Sequence, residues 1–365
     1  MPEPHQQEQT TPESESSTFV GEDGRVRSGW RVAGFFCAFA LLQIAAQIAF
    51  LVPLTVGLLV GGGGRGRQIA GHVVEGPDVH LAAAIVTLPL LMLLVWFFRR
   101  YLDKRTFRSL GFWFDPVALR DLFVGLAMGA GLILVAAGIV LWSGLYTWGV
   151  PTAVPMPVLV TGEAIFMAIG LLAAALIEEI VCRAYMQRNL TESIGPVGSI
   201  AIVSTVFALL HGMNPGVTGL ALINLFVAGV LLGLVYHRFR SIWAVWTMHF
   251  SWNFTMGTVL GVPVSGMKTA RLFEMTLVDQ RLLPNPDWWA ISGGPFGFEG
   301  GLASTLVMVV SIALLWLWKG RPSGPVEVHP QYLWKLEQRR VGRARAAVAR
   351  QVVSGPEGSL RNPGQ

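Results

Sequence analysis

Eight long apolar runs separated by short polar breaks allow this chain few folds. They lie at about 32–60, 81–98, 121–142, 161–186, 197–213, 217–236, 242–260 and 302–318. Each is near the roughly 20 residues an α-helix needs to cross a hydrocarbon layer. Lipid supplies no hydrogen-bond partners, so such runs cross as helices, which satisfy their own backbone groups. The composition agrees. Of the 365 residues 53% are hydrophobic and only 13% charged, with a mean hydropathy of +0.54. The charged share is about half that of an average soluble domain. The expectation is an all-α fold: a polytopic membrane helix bundle of about eight transmembrane helices.

The basic residues set the expected orientation. Arg99, Arg100, Lys104, Arg105 and Arg108 follow the second run, Arg183 and Arg188 close the fourth, and Arg238 and Arg240 close the sixth. The breaks after the third and fifth runs hold no Lys or Arg. By the positive-inside rule both termini are cytoplasmic. The chain then divides into a disordered tail at 1–27, N-terminal transmembrane helices at 28–160, a core at 161–260, an extracytoplasmic loop at 261–300, a last transmembrane helix at 301–320 and a basic cytoplasmic tail at 321–365. Residues 332–353 of that tail suit either a helix lying on anionic lipid or a solvated basic helix. The net charge of +5 is read as topology and lipid contact, with no nucleic-acid partner. The two cysteines, Cys37 and Cys182, offer neither a disulfide framework nor metal-binding spacing. Gly125 and Gly129, four apart, permit close packing of the third helix.

Ionisable groups inside the apolar runs mark functional candidates, because burying each in lipid is costly. Glu178 and Glu179 are adjacent near the end of the fourth run. Glu179 and Arg183 share a helix face at the favourable i, i+4 spacing, which makes them an intrahelical ion pair. Glu178 points about 100° away and has no local partner, so it is the stronger candidate base. His211 follows Phe207 by four residues, and Asn253 follows His249 by four, so each pair shares a face. A glutamate, two histidines and an asparagine on three helices could activate water and stabilise an oxyanion. Trp246 and Trp252 are expected to pack or anchor. One difficulty is depth. If the fourth run ends near Met186 and the fifth begins at Val197, Glu178 and His211 differ in height by roughly 15 Å, at about 1.5 Å per residue.

In order, Glu178-Glu179-x-x-x-Arg183, Phe207-x-x-x-His211 and His249-x-x-x-Asn253 resemble the three motifs of the CPBP intramembrane proteases. That group includes the type II CAAX prenyl endopeptidases and bacterial immunity-type membrane proteins. Asn224 to Tyr236, leading to Ser241-Ile-Trp243, resembles the family's connecting region, and the likeness covers about residues 160–260. It implies an intramembrane endopeptidase that hydrolyses a peptide bond of a membrane-associated substrate. Glu178 would activate the water with His211 as its partner, His249 and Asn253 would stabilise the oxyanion, and Glu179, Arg183 and Phe207 would support the site. It also implies a multi-pass protein of the cell membrane, and the composition has a bacterial character. Family members are often called metalloproteases, and zinc held by Glu178, His211 and His249 is compatible with this spacing. The spacing does not require it, since His-Glu-x-x-His is absent. A non-catalytic immunity or scaffold protein that keeps the polar core is the alternative. A proton-coupled transporter is a third reading, with no inverted repeat to support it. The sequence is silent on oligomeric state and on whether the substrate is prenylated.

Overall fold

The computed structural model describes residues 18–21, 25–61, 77–150, 162–279, 288–318 and 320. The first seventeen residues, the loop at 151–161 and the basic tail with its expected helix at 332–353 lie outside the described residues.

Each apolar run is a helix: α1 (Ser28–Gly61), α2 (Pro77–Phe97), α3 (Pro116–Trp142), α4 (Gly162–Glu179), α5 (Arg188–Leu210), α6 (Gly219–Phe239), α7 (Ile242–Phe254) and α8 (Leu302–Leu317). Among the described residues five stretches are long and apolar enough to cross a membrane: Ser28–Ala49, Ala83–Leu102, Pro116–Trp142, Ile165–Leu210 and Gly219–Phe239. At 13 and 16 residues, α7 and α8 fall below that length. Local chemistry sets several ends. Asp115 caps α3, its carboxylate accepting from Ala118 N at 3.0 Å with Pro116 at the first turn, and Thr218 caps α6 through Ala221 N at 3.1 Å.

Three differences from the sequence reading bear on the site. First, the fold is mostly helical, as expected, but it also carries a small two-stranded sheet. Tyr146–Gly149 (β1) and Glu274–Leu277 (β2) pair antiparallel, Tyr146 opposite Leu277. This ties the end of α3 to the chain beyond α7. Second, residues 18–21 and 25–27 make specific contacts. Val20 bridges Val26, and buried Arg25 donates to Asp103 O and reaches Glu192. Third, the fourth run does not stop near Met186. A π-helical segment, Ile180–Gln187, carries α4 directly into α5, and all eight of its residues are buried. The reversal comes at Gly195, whose φ of 76° and ψ of 175° lie in a region open essentially to glycine alone. Glu178 stands seventeen residues before that turn and His211 sixteen after it. The two therefore meet at one height, and the expected 15 Å mismatch disappears.

The packing holds this hairpin in place. Phe35 of α1 stacks on Tyr185 at 3.8 Å, with Phe98 edge-on to Phe35. Beneath them lies an ionic cluster. Fully buried Asp103 takes Arg31 at 2.5 Å and Arg99 at 3.0 Å, while Glu192 takes Arg25, Arg31 and Arg105. Part of the basic group after the second run is thus internal, Arg99 above all. α3 lies flat against α7: a Cβ at Gly125 would stand 2.3 Å from Ala244 O, and one at Gly129 2.0 Å from Met248 O. The aromatic segment after α2 is mostly buried. Leu110, Phe112 and Trp113 are inside, with Tyr236 Oη donating to Leu110 O and Trp243 Nε1 to Trp113 O.

Candidate active site

The last turn of α4 presents two carboxylates with opposite surroundings. Glu179 is fully buried, and its Oε1 accepts from Arg183 at 2.8 Å and from His249 Nδ1 at 2.7 Å. Arg183, also fully buried, lies over the Phe207 ring at 4.6 Å and reaches Gly229 O. Glu179 and Arg183 form the expected ion pair, but the same oxygen also fixes the ring of His249, which spacing did not foretell.

Glu178 faces the other way, into a cavity of about 160 Å³. Its side chain is 36% exposed, yet its Oε2 is buried and accepts no hydrogen bond. His211 Nε2 and His249 Nε2 each lie 3.9 Å from that oxygen. The opposite ring nitrogens are both committed. His211 Nδ1 is 2.8 Å from Phe207 O, and a carbonyl only accepts, so Nδ1 carries the proton. His249 Nδ1–H donates to Glu179. Both Nε2 atoms are left free to work on whatever lies beside Glu178 Oε2. A water about 2.8 Å from Oε2 and from one Nε2 would join them at roughly 90°, so the gap is one water wide.

The cavity also takes in Asn253, one turn after His249, and Trp252, which was expected only to pack or anchor. The remaining wall is largely apolar, with Leu171, Leu225, Met248 and Met308 on four helices. Trp246 instead donates to Leu172 O and ties α7 to α4. Among the described residues no three His, Cys, Asp or Glu side chains are grouped closely enough to hold a metal ion.

One side chain at the cavity was not anticipated. Glu299, in the stretch before α8, lines the same space as Glu178. Val264, Ser265, Met267 and Thr269, also from the expected loop at 261–300, line the cavity with it. The available signal was the glycine density of Gly293-Gly-Pro-Phe-Gly-Phe-Glu-Gly-Gly301, which marks close backbone approach.

The segment that supplies both glutamates, both histidines and Asn253 also decides the comparison with known proteins. Residues 160–255 are similar to a known family. The matching family model is described as type II CAAX prenyl endopeptidase Rce1-like, and it covers those residues. The Rce1-like segment contains Glu178, Glu179, Arg183, Phe207, His211, His249 and Asn253 and ends before Ser265 and Glu299. No curated protein matches the chain. With several apolar helices and a segment similar to the Rce1-like family, this is a multi-pass helical membrane protein.

Proposed function

We propose that this protein is an intramembrane endopeptidase in which Glu178 activates the attacking water. One observation carries the reading. Glu178 Oε2 is buried and accepts no hydrogen bond, and two imidazole Nε2 atoms face it at 3.9 Å. A native buried acceptor without a partner calls for an explanation, and a water held for reaction supplies one. Glu178 takes a proton from that water as its oxygen adds to the substrate carbonyl. His211, fixed by Phe207 O, shares the proton. His249 through Nε2–H and Asn253 through its amide donate to the oxyanion. Glu179 and Arg183 hold His249 in register. The reading needs no metal. The apolar wall suits a substrate segment that enters from lipid. We place both termini in the cytoplasm with eight crossings, which cysteine-accessibility labelling of single-cysteine variants would check.

The test is cleavage in proteoliposomes of an internally quenched peptide with a lipidated cysteine near its C-terminus. Glu178→Gln and His211→Ala should each lower turnover by about 10²–10⁴-fold, the usual contribution of acid–base catalysis. Full activity in both variants would overturn the mechanism, and an inert wild type would favour the scaffold reading.

A further inference from the structure

Glu299 is held in place from both its backbone and its side chain. Its backbone is clamped by buried Asn224, whose Nδ2 donates to Glu299 O at 2.8 Å and to Gly301 O at 2.9 Å, while Thr305 holds Asn224 Oδ1 at 2.6 Å. Its side chain is held by Ser265, which supplies its hydroxyl to Oε1 at 2.5 Å and its backbone N–H. Ser265 sits at φ 47°, an uncommon conformation for a residue other than glycine, and strain of this kind gathers at functional sites. The loops that carry the two are interlocked. A Cβ at Gly266 would come within 1.9 Å of Pro215 O, and one at Gly297 within 1.9 Å of Pro263 O. The Glu299 wall is thereby braced against the chain just past His211.

Charge around the cavity assigns the protons. Glu179 and Arg183 cancel. Glu178 already faces both histidines. No Lys or Arg lines the cavity among the described residues. An ionised Glu299 would be an uncompensated charge in a buried apolar space, which is expensive. Glu299 is 8% exposed against 36% for the Glu178 side chain. Desolvation raises the pKa of Glu299, and the Ser265 hydrogen bond and the two histidines offset this in part. Two carboxyl groups with opposed environments divide into a base and an acid.

We propose that Glu299 is the general acid of this site, delivering the proton that lets the amine leave. The inference rests on the peptidase reading. Glu178 takes one proton of water as its oxygen bonds to the carbonyl carbon. The C–N bond then breaks with its electron pair going to nitrogen, which takes the proton of Glu299. The proton on Glu178 returns to Glu299 through the histidines or water, and the carboxyl and amine products depart.

The test compares the quenched lipidated peptide with its thioester analogue at the scissile bond. A leaving thiolate, of ordinary pKa about 8.5, needs no proton, whereas an amine does. In full-length protein in proteoliposomes, Glu299→Gln should lower peptide hydrolysis by at least about 10²-fold and thioester hydrolysis by less than about threefold. Glu178→Gln should abolish both. Equal loss on both substrates, or no loss on the peptide, would overturn the role of Glu299 while leaving that of Glu178 intact. Full activity of Glu178→Gln would instead sink the peptidase mechanism itself. Should Glu299→Gln fail to fold, Ser265→Ala keeps the acid and removes only its hydroxyl partner. It should lower the ratio of peptide to thioester turnover by about tenfold, and an unchanged ratio would count against the proposal.

Discussion

At the residue scale, adjacent glutamates divide structure from chemistry. Glu179 answers two buried donors, Arg183 and His249, and its loss would strand a fully buried guanidinium. Glu179→Ala should therefore cost about 3–5 kcal/mol of stability, the usual cost of breaking a buried pair. Thermal unfolding in detergent would show it. Glu178→Gln should unfold near the wild-type temperature while losing turnover, because Glu178 Oε2 accepts no hydrogen bond within the protein. The histidines make a second prediction. Their Nδ1 atoms are tied to Phe207 O and Glu179, and their Nε2 atoms suit a water beside Glu178. Dialysis against a strong chelator should leave peptide turnover within about twofold, with substoichiometric zinc by plasma mass spectrometry. Loss of turnover on dialysis with recovery on added zinc would refute that reading. Spacing made the Glu179–Arg183 pair and the shared face of His249 and Asn253 legible in the sequence. The bond from His249 to Glu179 was not, since it joins residues seventy apart.

At the element scale, the site depends on two close approaches. The hairpin from α4 through the π segment to α5 must reverse at Gly195 for Glu178 and His211 to meet. Gly195→Ala has open space around it, so its cost is conformational, about 1–3 kcal/mol. It should lower turnover as well as melting temperature, by shifting His211 against Glu178. The α3–α7 contact positions His249 and Asn253. At Gly129 even a methyl group would meet Met248 O at 2.0 Å. Gly129→Leu should push α7 aside and reduce turnover by more than tenfold, with membrane insertion unchanged on fractionation. An active Gly129→Leu protein would show that α7 tolerates displacement. The Gly125–Gly129 spacing announced tight packing, but not which helix would take it. The continuous course of α4 into α5 was hidden because Arg188, Asn189, Thr191 and Glu192 read as a polar break. They are helical residues, and Asn189 and Glu192 bond to buried arginines.

For the whole molecule, the ionic cluster at Asp103 joins α1, the end of α2 and the π segment, whose Tyr185 also reaches Asp103. Asp103→Ala would leave Arg31 and Arg99 buried without that carboxylate, and about 3–5 kcal/mol of stability should go with it. Chemical unfolding in mixed micelles would measure the loss, and a change under about 1 kcal/mol would mean that the cluster relaxes into solvent. By itself the sequence determined the membrane class, the positions of the long apolar helices and the identity of the motif residues. Those follow from local properties: apolar length, i, i+4 spacing and the cost of a charge in lipid. The tertiary structure alone decided where the hairpin turns, that Arg25 returns to the Asp103 cluster, and that Glu299 lines the same cavity as Glu178. Each of these depends on contacts between residues distant in the chain. Such contacts leave only faint local marks, here the glycines around Glu299 and a single Gly195 in a polar stretch.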